Sequence, residues 1–88
     1  MTTAVTLLTQ PDCPLCEHAK QVLDRVGRDH RLSVQETGLR TPEGKELAVR
    51  HGVLFAPGIL IDGAPLSYGR LSERKLRRAL AQRATAGM

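Results

Sequence analysis

The apolar pattern changes period between Thr9 and Cys13, and that change restricts the fold more than any other feature of the chain. Thr3 to Thr9 reads Thr-Ala-Val-Thr-Leu-Leu-Thr, a β-branched and apolar run typical of a short, largely buried strand. Gln10-Pro11-Asp12 is a turn signal. Beyond it, Leu15, Ala19, Val22, Leu23 and Val26 recur at three- and four-residue spacing, which marks one stripe of a helix. Pro14 suits the first helical turn, where its missing N–H has no intrahelical partner to lose. Gly27 stands where a helix stops. The first 27 residues are therefore expected to be strand, turn and helix, the helix running from Cys13 or Pro14 to Val26.

The rest of the chain continues the alternation. Arg31 to Thr37 alternates, with Leu32, Val34 and Glu36 on one side, and predicts a second strand. Thr41-Pro42 reads as an N-cap followed by proline at the first helical position. A helix should follow to about His51, closed by Gly52, although Gly44 within it costs about 1 kcal/mol relative to alanine. Ile59 to Asp62 predicts a third strand, Asp62-Gly63 a hairpin turn, and Ala64 to Ser67 a fourth strand. Pro65 in that last strand places it at a sheet edge. Ser72 caps a final helix with Leu76, Ala79, Leu80 and Arg83 on one face.

The predicted order is β-α-β-α-β-β-α. The first two strands, joined through a helix, should be parallel with a right-handed crossover. The last two form a hairpin. The expected fold is a four-stranded mixed α/β sheet with helices against its faces.

At 88 residues the chain is expected to be one domain, 1–88. Aliphatic residues must fill its core, for it has no tryptophan, one phenylalanine and one tyrosine. No apolar run approaches the roughly 18–20 residues of a membrane span. Met1-Thr-Thr-Ala-Val lacks the basic region of a secretory signal and reads as the start of a strand. The expected compartment is the cytoplasm, where structural disulfides are rare. Net charge is +4, and six basic residues lie between Arg70 and Arg83. They read as a solvated helix face, since neither aromatic stacking platforms nor a nucleic-acid motif accompanies them.

Cys13 and Cys16 are the two cysteines of the chain, with Pro14 and Leu15 between them. A Cys-x-x-Cys pair beside a β-α-β pattern is the cue for a redox dithiol. The thiolate is the form that attacks a disulfide, and a helix N-terminus favours the anion. On that logic Cys13 is the exposed nucleophile, and Cys16, one turn further in, resolves the mixed disulfide. A zinc site would need four ligands, and His18, His30 and His51 are scattered. A cluster shared between two chains, and two inert core sulfurs, remain as alternatives. Lys20 can lend positive potential to the dithiol or simply be solvated. His18 is expected in solvent, and Tyr68 against the last helix.

Three segments carry a resemblance over nearly the whole length: the first strand followed by Cys13-Pro14-Leu15-Cys16, the stretch Phe55-Ala-Pro-Gly-Ile-Leu-Ile-Asp-Gly63, and Leu66-Ser-Tyr-Gly-Arg-Leu-Ser72 leading into the final helix. In these the chain resembles the glutaredoxins, or more broadly small thioredoxin-fold oxidoreductases. The resemblance implies a cis Ala56–Pro57 peptide facing the dithiol. There the backbone of Ala56 would bond an extended substrate. It implies substrate contacts from Pro14, Leu15, Ala56, Pro57, Tyr68, Gly69 and Arg70. It also implies disulfide-bearing proteins or small-thiol mixed disulfides as substrates, and no bound cofactor or metal. Glutathione, another low-molecular-weight thiol or a reductase protein would supply electrons to a monomer that needs neither nucleic acid nor membrane. The alternative within this fold is a carrier that holds an iron–sulfur cluster or a partner protein with little turnover. Three departures stand out, one of them Leu15 where many glutaredoxins carry a tyrosine inside the motif. Gln10-Pro11-Asp12 replaces the basic approach to the first cysteine seen in many glutaredoxins. Tyr68-Gly69-Arg70-Leu71-Ser72 replaces the glycine pair and acidic residue that hold glutathione.

Overall fold

The computed structural model describes residues 2–86, with side chains through Arg83. The elements follow in the order β1 (Thr3–Thr9), α1 (Pro14–Val26), β2 (Leu32–Gly38), α2 (Pro42–His51), β3 (Gly58–Ile61), β4 (Ala64–Tyr68) and α3 (Glu73–Ala86). The four strands lie in the order β2-β1-β3-β4. β1 and β2 are parallel, from Thr3 opposite Leu32 to Thr9 opposite Gly38. β3 runs antiparallel to both β1 and β4. The thioredoxin-like α/β arrangement expected from the sequence is the one observed.

The helix ends follow from local chemistry. Thr41 caps α2 by accepting a bond from the Gly44 N–H at 3.0 Å, and Gly52 closes it in the left-handed conformation at φ 68°. Ser72 Oγ accepts from the Lys75 N–H at 3.2 Å at the start of α3. Asp62 and Gly63 both have positive φ, as a tight hairpin between twisted strands requires. Asp62 also ties that hairpin to β1, its Oδ1 accepting from the Ala4 N–H at 2.9 Å.

One face of the sheet carries the main core. Val5 and Leu7 of β1 and Ile59 and Ile61 of β3 meet Ala19, Val22, Leu23 and Val26 of α1 and Leu71, Leu76 and Leu80 at α3. Strand alternation sends Leu8 and Leu60 to the opposite face. Both are fully buried there, although Gly44 is the buried residue of α2 and Val49 is 85% exposed. Gly44 has a packing reason: a Cβ there would overlap the Gly38 carbonyl of β2. The sequence marks Gly44 as a weak point in a helix. The structure makes it the close approach that lets α2 lie on the sheet.

Several expectations need correction. β3 runs Gly58–Ile61, displaced by a residue from the predicted span, and β4 runs Ala64–Tyr68, one residue longer than predicted. β2 starts at Leu32, and of its predicted inner side Leu32 alone is half-buried. Val34 is exposed, as is Glu36, because β2 is an edge strand and α1 reaches little of it. Pro65 does lie at the opposite edge, beside a register shift between Ile59 and Leu60. The basic run is not simply solvated. Arg77 bonds Asp29 and Glu73, and Arg83 bonds Asp62 and the Ile61 carbonyl.

Candidate active site

The register gathers the predicted site residues at one end of the sheet. β1 points its carboxyl end toward the Gln10–Asp12 turn, from which α1 departs. Gly58 pairs with Leu8 and with Tyr68, so Pro57 and the Tyr68-Gly69 step lie level with the end of β1. Ligands of α/β sheets commonly bind at such carboxyl ends. The Gly69 N–H donates to the Pro57 carbonyl at 2.8 Å, fastening the two loops together. Ala56–Pro57 is cis, and both residues are buried.

Cys13 is the N-cap of α1, with Pro14 at the first helical position. It is extended at φ −116° and ψ 98°, which turns its side chain back over the open end of the helix. The Cys16 N–H donates to Cys13 Sγ at 3.0 Å. That N–H belongs to the first turn of α1 and is shared between Cys13 Sγ and the Cys13 carbonyl, to which it also donates at 3.1 Å. Cys13 is half-buried, while Cys16 is only 3% exposed. The two form a disulfide with Cα atoms 5.2 Å apart. Asp12, next to Cys13, has a positive φ of 53° and is exposed. Pro14 is also exposed, and Leu15 half-buried.

On the other side of the dithiol, Tyr68 does not pack on α3 as expected. Its ring meets Phe55 edge-on, with centroids 5.0 Å apart and planes at 89°. Phe55 is 55% exposed, Leu54 76% and Tyr68 40%, so the segment before Pro57 presents apolar surface to solvent. Gly69 is buried at φ 79°, and a Cβ on it would come 2.8 Å from Phe55 Cε2. Arg70 is exposed.

A hollow of about 730 Å³ borders both cysteines. Its wall includes Gln10, Asp12 and Glu17 beside the cysteines and, across on β2 and the turn after it, Glu36 and Arg40. Lys20 spans the two sides, its Nζ lying 3.2 Å from Glu36 Oε1 and 3.7 Å from Glu17 Oε1. The hydrogen bond to Glu36 raises the Lys20 pKa, and the Glu17 charge adds to the rise. His18 is not solvated as expected: it is half-buried, and its buried Nδ1 has no hydrogen-bond partner. Among the described residues no group of three or more His, Cys, Asp or Glu is placed to hold a metal ion.

The site residues absent from the sequence-based list are Phe55, Glu36 and Arg40. Phe55 had a signal, as the lone phenylalanine two residues before the family's proline. Glu36 and Arg40 had none, since their place depends on the parallel pairing of β1 with β2.

A family model described as a glutaredoxin-like domain (DUF836) matches residues 4–81. The chain belongs to this glutaredoxin-like family. Curated relatives of the glutaredoxin-like chain include a thioredoxin of Methanocaldococcus jannaschii. It is 28% identical over 79 residues, covering 90% of this chain and 93% of the relative. A probable thioredoxin of Archaeoglobus fulgidus is 28% identical over 74 residues, covering 84% and 81%. Among solved structures, a mutant of the thioredoxin-like protein BC3987 superposes with a TM-score of 0.69 at 23% identity, covering 86% of this chain and 97% of that one. Glutaredoxin 1 from Francisella tularensis gives a TM-score of 0.58 at 20% identity, covering 94% and 98%. At those identities the structures speak for the thioredoxin fold alone. Family, fold and cysteine pair together indicate a thiol–disulfide redox function. No helix among the described residues is long and apolar enough to cross a membrane.

Proposed function

We propose that this glutaredoxin-like chain is a cytoplasmic, monomeric thiol–disulfide oxidoreductase that reduces disulfides through Cys13 and Cys16. The observation that carries the reading is the Cys16 N–H aimed at Cys13 Sγ at 3.0 Å on the open end of α1, with Cys16 shielded behind it. In the reduced protein that donor and the helix dipole favour a thiolate at Cys13. The Cys13 thiolate attacks one sulfur of the substrate disulfide, and the other leaves as a thiolate that takes up a proton. Cys16 then attacks Cys13 Sγ, the mixed disulfide breaks, and the substrate's second sulfur leaves reduced. Two electrons pass to the substrate, and the protein is left with the Cys13–Cys16 disulfide.

Substrate would lie between the Pro14-Leu15 turn and the Ala56-Pro57 and Tyr68-Gly69-Arg70 loops. The exposed Leu54, Phe55 and Tyr68 favour a protein chain with apolar residues near its disulfide. Two curated relatives bear the name thioredoxin, which agrees with protein substrates. Electrons to restore the dithiol would come from glutathione, another low-molecular-weight thiol or a reductase protein. Tyr68-Gly69-Arg70-Leu71-Ser72 lacks the glycine pair and acidic residue with which the family holds glutathione, so the electron donor stays open among the three.

The test is reduction of a model protein disulfide, with electrons supplied by glutathione in one series and a thioredoxin-reductase system in another. Turnover is expected with at least one donor, and Cys13→Ser should lower it by more than about 100-fold. Cys16→Ser should accumulate a mixed disulfide through Cys13, visible by mass spectrometry. Absence of turnover with a coloured, dimeric preparation whose colour needs Cys13 would replace this reading with that of a cluster carrier.

A further inference from the structure

We propose that Lys20 sets the charge on the Cys16 sulfur of the reduced protein, with Glu36 as its counterweight. Cys16 and Lys20 are four residues apart on α1, so they share a helix face with Cβ atoms about 5–6 Å apart. Both border the same hollow, together with Glu17, Glu36 and Arg40. Lys20 reaches across that hollow from α1 to β2, with Glu36 at 3.2 Å and Glu17 at 3.7 Å. It is thus a cation anchored one helical turn from a sulfur that has little water of its own, since Cys16 is 3% exposed. A buried thiol resists ionisation unless an opposite charge lies within reach. A lysine ammonium is charged at neutral pH in any case, and the hydrogen bond with Glu36 moves its pKa further up.

The other charges around Cys16 do not duplicate Lys20. Asp12 before α1, Glu17 on α1 and Glu36 on β2 are anions, and each opposes a thiolate. Arg40, after β2, is exposed on the rim, and Arg70 is exposed in the loop before α3. His18 is half-buried on α1 with its Nδ1 unpartnered. None of these three stands four residues from Cys16 on its own helix. The balance between Lys20 and the two glutamates therefore governs the readiness of Cys16 for the resolving step. Cys16 loses its proton to solvent in the hollow and attacks Cys13 Sγ. The bond from Cys13 to substrate breaks, and the electron pair leaves on the substrate sulfur, which takes up a proton. When an external thiolate reduces the disulfide at Cys13, Cys16 departs as a thiolate and Lys20 steadies it.

The role rests on the oxidoreductase reading, but its test does not need turnover. In a Cys13→Ser background Cys16 is the single thiol. Its alkylation by iodoacetamide is followed against pH by mass spectrometry, alone and with Lys20→Met, Glu36→Gln or both. The plateau rate reports access to Cys16, and the midpoint of the pH profile reports its charge. Lys20→Met should move the midpoint to higher pH and slow alkylation at neutral pH by about threefold or more. Glu36→Gln should move it to lower pH and speed the reaction by a similar factor. The double variant should fall between the two. Both single variants shifting the same way, or neither midpoint moving while the plateaus change, would overturn the proposal. Midpoints that move as expected in a protein that reduces no disulfide would sink the oxidoreductase reading and leave the Lys20 assignment standing.

Discussion

Gly69 shows how much one residue can be asked to do at this site. Its φ of 79° favours glycine, and its missing side chain leaves room for the Phe55 ring. Its N–H meanwhile holds the Pro57 carbonyl. Gly69→Ala should lower unfolding free energy by about 1–2 kcal/mol, from left-handed strain and displacement of the exposed ring. Urea denaturation checks this, and an unchanged midpoint would contradict it. The reactive residues were legible in the sequence because their chemistry is local. A turn, a proline and two cysteines at one helix start suffice to rank Cys13 above Cys16. Glu36 and Arg40 were not legible, because each joins the site through a tertiary contact that no local pattern encodes, and of Phe55 only its place before Pro57 was. Tyr68 was misplaced for the same reason. Its ring partner comes from the loop before Pro57, and its strand runs one residue further than the apolar pattern showed.

Among the elements, α2 gives the sharpest test. Helix propensity favours alanine over Gly44 by about 1 kcal/mol. The Gly38 carbonyl, which a Cβ would overlap, reverses the sign. Gly44→Ala should destabilise the protein by about 1–3 kcal/mol, the usual range for overpacking. Thermal or urea unfolding would read the loss, and a gain in stability would show that α2 can shift off β2 without cost. The caps of α2 and α3 were readable as Thr41-Pro42 and Ser72, since capping is settled within three residues. The exposure of β2 was not. Alternation tells which side chains share a face but not whether anything covers that face, and Val34 and Glu36 are left exposed, Glu36 touched by the Lys20 side chain of α1. His18 was misjudged for a related reason. The apolar stripe of α1 places its centre, while the width of the buried band depends on the neighbouring chain.

Across the whole molecule, α1 and α3 are tied by a network centred on Glu73. Arg25 donates to its Oε1 from Nε at 2.9 Å and from Nη2 at 2.8 Å, and Arg77 donates to its Oε2 at 3.0 Å while also holding Asp29. The Arg25 bonds first, and then those from Arg77, hold the Glu73 carboxyl below its ordinary value of 4.5. The unfolded chain therefore binds the Glu73 proton at a higher pH than the folded one. This contribution to stability is complete above the ordinary value and fades as pH falls through the lowered folded value. Acid unfolding of Glu73→Gln should accordingly show a shallower pH dependence than the parent below pH 4.5. Curves of equal slope there would contradict the clamp. The topology that frames it was legible, because the order of strand and helix patterns leaves few ways to connect four strands. All of the chemistry depends on Cys13 standing at the opening of α1. The direct test is the thiolate absorbance of reduced Cys16→Ser near 240 nm, followed against pH. A midpoint clearly below the roughly 8.5 of a free cysteine is expected. A midpoint at or above that value would mean that the helix end and the Cys16 N–H do not activate the sulfur, and the oxidoreductase reading would lose its basis.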